Sequence, residues 1–378
     1  MDRGVSAKNI GEVRWRNTVP SFQDEGRRER TGRLIRFGDE APSIVSSATV
    51  VGKKEGEGPL GRYFDICDKS DGMGCETFEQ AESELQRQAL NLAMAKRGIY
   101  PEDVEAVFAG DLLNQCTASS YGVGEFGIPY FGLYGACSTV VEGLMLASIT
   151  VDRGVYSRVA AVVSSHNGAA ERQFRFPLEY GSQRPPTAQW TVTGAGAFLV
   201  EKSKNESCEN CTEKLPSDIK TPRITAAMPG RIVDMGINDA NNMGAAMAPA
   251  AADTLSAYFR ESGEDPAAFD YILTGDLGFE GNSICRDLLR ESGIKLGGNF
   301  TDCGMLIFDP ETQDTHSGGS GCGCSATVFG GFIMERFRRG EISRVLLVGT
   351  GALMSPSMIQ QGKSIAGIGH LIEVRSKK

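Results

Sequence analysis

The sequence predicts a duplicated α/β fold in which two similar halves pack together, and internal repetition is the main evidence. The same motifs occur twice in the same order: short apolar strands that end in Gly-Asp-Leu, turns of small residues that open a helix, and long apolar strands. The pairs are 104–113 with 269–278, 135–139 with 323–327, and 158–163 with 344–348. Because the strand cores are continuously apolar, we expect parallel strands buried on both faces.

The repeat divides the chain into four predicted segments. Residues 32–201 form the N-terminal half and residues 223–378 the C-terminal half. Residues 1–31 are rich in charge without apolar periodicity, so we expect a flexible leader there. Residues 202–222 are polar and contain Ser, Asn, Lys and Pro, which is typical of a connector or a surface insertion.

The first elements of the N-terminal half can be predicted individually. Residues 43–51 are rich in β-branched side chains and predict a strand. Residues 77–97 place apolar side chains at steps of three and four, which predicts an amphipathic helix, and Gly98 is a typical residue for its end.

Composition excludes several classes of protein. The chain has 378 residues, 40% of them hydrophobic, which suffices for globular cores. Its 48 acidic and 39 basic residues give a net charge of -9, which argues against a nucleic-acid partner. The sequence contains no run of roughly 20 uncharged apolar residues and no signal-peptide region, so we expect the chain to remain where it is made. The ten dispersed cysteines are expected to be reduced.

Cys137 is the strongest candidate for a site residue. It follows the apolar segment 129–134 and precedes an apolar helical pattern, so it is expected at a strand-to-helix turn. A helix N-terminus there would favour either a thiolate or a ligand carboxylate. The alternative is a small buried cysteine that lets the strand and the helix approach each other. Cys324 is its counterpart in the second half.

A second group of candidates follows the strand at 158–163. His166 and Asn167 come directly after that strand, where polar side chains often line a site. Arg172 and Arg175 are three residues apart and could bind a carboxylate through their guanidinium groups. The alternatives are a histidine that bonds nearby backbone and a pair of surface arginines.

The Gly-Asp-Leu turns supply three more candidates. Asp111, its counterpart Asp276, and Asn114 are either polar lining residues or caps of loops and helices. The glycine-rich segment 317–325 is not a P-loop, because no Lys follows it. Cys208 and Cys211 form a CxxC pair without a second pair, so a zinc site is poorly supported. We therefore expect no metal site and no cofactor.

Taken together, these strings resemble the stage V sporulation protein AD (SpoVAD) family of endospore-forming bacteria, within the thiolase-like superfamily. The resemblance covers roughly residues 40–375. The strings that carry it lie at 109–115, 131–139, 164–167, 171–176, 247–253, 317–325 and 351–356. It implies a thiolase-like fold of five layers, αβαβα, which agrees with the duplication found independently.

The resemblance also implies a function without catalysis. Members of this family are associated with binding dipicolinic acid (pyridine-2,6-dicarboxylate) and with moving it, together with calcium, into the developing spore and out again at germination. The implied partners are the SpoVA membrane proteins. The implied location is the cytoplasmic side of the spore inner membrane, reached through those partners. A small dianion is consistent with Cys137 at a helix N-terminus and with Arg172 or Arg175 as counter-charge.

The sequence lacks several residues that the enzymes of the superfamily use for catalysis with this cysteine. A nucleophilic cysteine needs a base and an oxyanion hole. The second half lacks the Gly-His-Pro motif of thiolases. Its Gly-Asp-Leu turn stands where ketoacyl synthases carry a histidine. The Cys-x-Gly-Gly-Gly motif of thiolases is replaced by Gly-Thr-Gly-Ala-Leu at 349–353. The alternative is an acyltransferase with Cys137 as nucleophile and His166 as base. The superfamily also implies a homodimer that pairs through the strand at 129–134.

Overall fold

The computed structural model describes residues 32–174, 184–203 and 221–376. The predicted leader, most of the predicted connector, and Arg175, Cys208 and Cys211 lie outside these residues. The described strands are β1 (Ile35–Arg36), β2 (Ser43–Val51), β3 (Ile66–Cys67), β4 (Ala106–Gly110), β5 (Tyr130–Leu133), β6 (Arg158–Ser165), β7 (Trp190–Thr191), β8 (Gly194–Glu201), β9 (Arg223–Met228), β10 (Tyr271–Thr274), β11 (Phe300–Asp302), β12 (Gly319–Ser320), β13 (Arg344–Leu353) and β14 (Ala366–Arg375).

Eleven helices connect these strands within the described residues. They are α1 (Lys53–Gly56), α2 (Phe78–Arg97), α3 (Thr117–Gly124), α4 (Thr139–Asp152), α5 (Asn167–Phe174), α6 (Met243–Ser262), α7 (Gly278–Glu291), α8 (Cys303–Ile307), α9 (Cys322–Thr327), α10 (Met334–Arg338) and α11 (Pro356–Gln360). A π-helical segment, Val328–Ile333, joins α9 to α10.

The strand order repeats in the two halves and confirms the predicted duplication. In the first half the order across the sheet is β5-β4-β6-β8-β2, and in the second half it is β11-β10-β13-β14-β9. If the five strands of each half are numbered in chain order, both halves have the strand order 3-2-4-5-1. The two sets meet where β2 pairs with β9 at Ser43 and Arg223.

The repeated strands pair with one another in parallel, as expected, but the sheet as a whole is mixed. The Gly-Asp-Leu strands β4 and β10 pair in parallel with both of their neighbours. However, β8 runs antiparallel to β6 and β2, and β14 runs antiparallel to β13 and β9. Every residue of β8 is buried. Helices cover both faces of the sheet, so complete burial does not depend on strand direction.

The helices form three layers, which gives the five-layer architecture that the resemblance implied. On the outer face of the first half's strands, α2 packs on β2, β6 and β8. Between the two sets of strands, α4 contacts β4, β6 and β8 of the first half and also β13 and β14 of the second. On the outer face of the second half's strands, α6 packs on β13 and β14. Each set of strands, although the two are joined by the β2–β9 pairing, therefore has helices on both faces, as the apolar strands require.

The two elements predicted in detail are confirmed. Residues 43–51 form β2, and the helix predicted at 77–97 is α2. The side chain of Thr77 accepts a hydrogen bond from the Gln80 N–H, and the Gln80 side chain accepts one from the Thr77 N–H, which makes a capping box. The helix ends at Gly98, whose φ of 73° is the left-handed conformation that glycine adopts without strain.

Candidate functional site

The Cys137 turn has the predicted position between a strand and a helix. A 3-10 turn, Ala136–Ser138, connects β5 to the N-terminus of α4. Ala136 has a φ of 52°, and two side chains hold the turn: Ser138 Oγ donates to the Gly135 carbonyl at 2.7 Å and Thr139 Oγ1 donates to the Ala136 carbonyl at 2.6 Å. The Cys137 side chain is 7% exposed and faces a pocket.

This pocket, which we call the Cys137 pocket, has a volume of about 280 Å³. Its wall comes from the ends of β5 and β13, from α5, from the small sheet of β7 and β12, and from the segment before α6. The lining residues are Leu112, Tyr134, Ala136, Cys137, Ala170, Glu171, Phe174, Thr191, Ala240, Asn241, Met243, Ser320, Ala352, Leu353, Met354 and Ser355. The described lining is mainly apolar, with a few polar side chains, as in many small-molecule sites.

Asp276 lies beneath Cys137 and is fully buried. Its carboxylate accepts hydrogen bonds from Thr350 Oγ1 at 2.8 Å and from the Gly321 N–H at 2.9 Å, and the Cys137 thiol also bonds to it. Burial outweighs these bonds and raises the pKa of Asp276 to about 6. The predicted strand-end position of Asp276 thus brings it together with Cys137.

The Cys137 thiol is held in its protonated form. Burial is the main cause that raises its pKa well above the usual value, and the negative charge of Asp276 raises the pKa further. The Gly321 N–H acts in the opposite direction but is a smaller influence. A nucleophilic cysteine needs the reverse environment, with a cation or an imidazole beside the sulfur that lowers the thiol pKa.

Asp302, at the end of β11, is a second buried carboxyl near Asp276 that sequence reasoning missed. It accepts hydrogen bonds from the N–H groups of Leu277, Gly278 and Gly304 at 2.8 to 3.0 Å. Burial raises its pKa to about 7, and the charge of Asp276 contributes. The sequence signal that could have identified Asp302 is the one used for Asp111 and Asp276, a polar residue at the end of a predicted strand.

Asp111 acts as a loop cap, which was the alternative interpretation. It is buried and accepts hydrogen bonds from the Leu113 N–H at 2.7 Å, from the Ser119 N–H at 2.8 Å and from Ser119 Oγ at 2.6 Å. Burial raises its pKa in spite of these bonds. Asp111 therefore secures the start of α3 and does not line the Cys137 pocket.

His166 is buried away from the pocket lining and both of its ring nitrogens are engaged. Nδ1 accepts a hydrogen bond from the Gly168 N–H at 3.1 Å, so Nε2 carries the proton and donates to the Asp71 carbonyl at 2.9 Å. The ring stacks on Phe78, and burial lowers its pKa. His166 is thus a neutral structural residue, and Asn167, next to it, begins α5.

Arg172 and Asn114 line a different, shallower pocket of about 260 Å³. There, the Arg172 guanidinium forms an ion pair with both carboxylate oxygens of Glu79. Asn114 Oδ1 accepts a hydrogen bond from the Tyr134 hydroxyl at 3.3 Å. The structure therefore does not bring Arg172 to Cys137.

Cys324 does not repeat the position of Cys137 on the pocket. It is fully buried in α9, with its sulfur 3.7 Å from the Gly275 carbonyl. Ser320, four residues earlier, lines the pocket instead. Sequence reasoning also missed Thr191, Asn241 and Ser355, because they lie on short or irregular segments with no repeat partner. Within the described residues, no group of three or more His, Cys, Asp or Glu side chains is arranged to hold a metal.

Comparison with known proteins agrees with this fold. The family model for stage V sporulation protein AD (SpoVAD) matches residues 33–375. Stage V sporulation protein AD of Bacillus subtilis (strain 168) is 44% identical over 334 residues, which are 88% of this chain and 94% of that protein.

Among solved structures, cerulenin-bound OleA of Xanthomonas campestris aligns with a TM-score of 0.54 at 16% identity, over 90% of this chain and 100% of that one. Acetamide-bound OleA of the same organism aligns with a TM-score of 0.55 at 16% identity, with the same coverage of both chains. At this identity the OleA structures are evidence for the fold alone, and the fold is thiolase-like.

Proposed function

Because this chain belongs to the stage V sporulation protein AD family, we propose that it is a dipicolinic acid-binding protein that catalyses no reaction. As a sporulation protein with a thiolase-like fold, it keeps the nucleophile position of that fold and a pocket beside it. The environment of Cys137 is the observation that carries the proposal. A protonated thiol that bonds to a buried carboxylate is suited to contact a ligand and poorly suited to attack one.

The size and lining of the Cys137 pocket support a small aromatic ligand. Its volume of about 280 Å³ lies just below the usual range of about 300 to 1,000 Å³ for small-molecule sites. Leu112, Phe174 and Met243 offer apolar contacts for a pyridine ring. Thr191 and Asn241 carry hydrogen-bond donors for carboxylates. The described lining contains no Lys or Arg, so in this proposal neutral donors take the role that the sequence predicted for Arg172, while Arg175 lies outside the described residues.

The proposed role follows that of the family. We propose that the protein takes part in uptake of calcium dipicolinate during sporulation and in its release at germination, together with SpoVA membrane proteins. No helix of the described residues is long and apolar enough to cross a membrane. Contact with the spore inner membrane is therefore proposed to occur through those partners.

The test is dipicolinate binding to the full chain, measured by equilibrium dialysis or calorimetry. Ala240→Trp places an indole into the pocket from a loop, and we expect it to weaken binding by about tenfold or more, about 1.4 kcal/mol or more. Ala268→Trp adds the same group at an exposed 3-10 turn outside the pocket lining and should bind like the wild type. Absence of binding to the wild type, or equal binding by both variants, would rule the proposal out.

The acyltransferase alternative retains one argument, the presence of a cysteine at the nucleophile position. It requires that incubation with acyl-CoA thioesters adds an acyl mass to the intact protein, and that Cys137→Ala abolishes this addition. We expect no acylation, because no imidazole or cation of the described residues lies beside the thiol: its close polar neighbour is the Asp276 carboxylate, whose charge raises the thiol pKa, and His166 bonds to backbone elsewhere.

We also propose that the protein forms a homodimer through β5. This strand lies at the edge of the sheet, and Tyr130, Phe131 and Tyr134 expose large parts of their rings. Residues 127–136 contain no charged side chain. Monomeric proteins usually protect such an edge with charges, so an uncharged aromatic edge is well suited to a second copy.

A further inference from the structure

Glu55 is a buried carboxylate that neither the fold nor the proposed function uses. It lies in the short helix α1 and is 0% exposed. One oxygen, Oε1, accepts a hydrogen bond from the Thr193 N–H at 2.9 Å. The other, Oε2, is buried without a hydrogen-bond partner in the described part of the chain. An unpaired buried carboxylate oxygen is costly, so this atom requires an explanation.

A second carboxylate lies next to this oxygen. Asp71, in the loop before α2, has a φ of 59° and accepts a hydrogen bond from the Lys53 N–H through Oδ1. Gly52 lies between the two acids: a β-carbon there would be 2.3 Å from Asp71 Oδ1 and 3.0 Å from Glu55 Oε2. These distances limit how far apart the two oxygens can lie, and a side chain at position 52 would collide with Asp71 Oδ1 and crowd Glu55 Oε2.

The spacing suits an oxygen-bound cation. Two oxygens that share one calcium ion lie at most roughly 5 Å apart, because each Ca–O distance is about 2.3 to 2.6 Å. The Gly52 geometry sets a similar upper limit for Asp71 Oδ1 and Glu55 Oε2. The negative charge of Asp71 disfavours ionisation of Glu55, and a cation between the two oxygens would remove that penalty. Hard cations complete such sites with backbone oxygens and water.

We propose that Glu55 and Asp71 bind a divalent cation of the calcium class, at a site separate from the Cys137 pocket. The alternative is a proton: burial and the neighbouring Asp71 charge raise the pKa of Glu55 to about 8, and a protonated Glu55 would need no cation. Cation binding and protonation compete for the same oxygen, so the two explanations give opposite results in a binding experiment.

Two sets of hydrogen bonds connect the Glu55 and Asp71 site to the Cys137 pocket. The Asp71 carbonyl accepts the hydrogen bond from His166 Nε2, directly before α5, which lines the pocket. Thr193 binds Glu55 through its N–H and accepts a hydrogen bond from the Asn167 N–H at 3.1 Å through its hydroxyl. A cation at Glu55 and Asp71 would therefore brace the start of α5.

The test is calorimetric titration of the chelator-treated full chain with CaCl2, and separately with MgCl2, in the absence of dipicolinate. We expect one calcium site with a Kd in the range of roughly 10⁻⁵ to 10⁻³ M, because few carboxylates contribute. Glu55→Gln should weaken it by at least about tenfold, since one charged ligand is lost. Glu57→Gln is the matched control at the residue directly after the same helix, because Glu57 is exposed, and it should bind like the wild type.

Asp71→Asn provides a second variant if Glu55→Gln fails to fold. The Asn oxygen can still accept from the Lys53 N–H, so the variant removes charge while keeping this cap, and it should also weaken calcium binding. The proposal is overturned if the wild type shows neither heat of binding nor calcium-dependent thermal stabilisation. It is equally overturned if Glu55→Gln and Asp71→Asn bind calcium as the wild type does. Because no dipicolinate is present, these outcomes are independent of the Cys137 pocket.

Discussion

At the scale of single residues, the protonation of Cys137 gives a direct prediction about reactivity. Iodoacetamide reacts with thiolates, and each unit by which a pKa exceeds the pH lowers the thiolate fraction about tenfold. Burial and Asp276 hold the Cys137 thiol protonated, whereas Cys67 is exposed. We therefore expect Cys137 to be alkylated more slowly than Cys67 at pH 8, by at least about tenfold, as measured by peptide mass spectrometry.

An Asp276→Asn variant tests the cause. Removing the negative charge removes one of the influences that raise the Cys137 pKa, so alkylation of Cys137 should become faster while that of Cys67 stays the same. Alkylation of wild-type Cys137 ahead of Cys67 would contradict the protonated-thiol interpretation and would favour the acyltransferase alternative.

The residues that sequence reasoning placed correctly share one property. Cys137 and Asp276 belong to repeated motifs whose position at a strand end or a turn is fixed by the chain around them. His166 and Arg172 also follow a strand, but the direction of their side chains depends on partners far away in sequence. These partners are Asp71 and Phe78 for His166, and Glu79 for Arg172. Sequence patterns contain no signal for such distant contacts.

At the scale of elements, the N-terminal cap of α2 is a measurable contribution to stability. Thr77→Ala removes the side-chain acceptor for the Gln80 N–H, which should lower the free energy of unfolding by about 1 kcal/mol. Thr77→Ser keeps a hydroxyl and is the matched control. Urea unfolding followed by circular dichroism measures the difference, and equal midpoints for the two variants would contradict it.

Helices and strands that carry their own sequence pattern could be predicted from the sequence. The direction in which a strand pairs with its neighbours could not. The helix α2 carries its own periodicity, cap and terminal glycine, and β2 its β-branched run. The antiparallel strands β8 and β14 have no such local mark of direction, because their residues are buried almost throughout. Strand direction followed from the topology of each half, which only the complete structure displays.

At the scale of the whole molecule, the uncharged edge at β5 predicts the oligomeric state. We expect the wild type to be a dimer by size-exclusion chromatography with light scattering. Phe131→Glu adds a charge to the exposed face of the edge strand and should shift the protein to monomers, because the charge would have to be buried between copies. Tyr100→Glu changes an aromatic residue that is 74% exposed away from β5 and should remain dimeric. A monomeric wild type, or a dimeric Phe131→Glu variant, would contradict the pairing.

The position of α4 between the two sheets also constrains synthesis on the ribosome. The helix belongs to the first half, but one of its faces packs on β13 and β14, which are translated long after it. Until they emerge, the nascent chain must expose an apolar surface made of residues that end up fully buried, such as Val141 and Leu144. Such intermediates are prone to aggregation. The N-terminal half should therefore depend on chaperones until β13 and β14 have emerged, and chains that terminate before β13 should be insoluble.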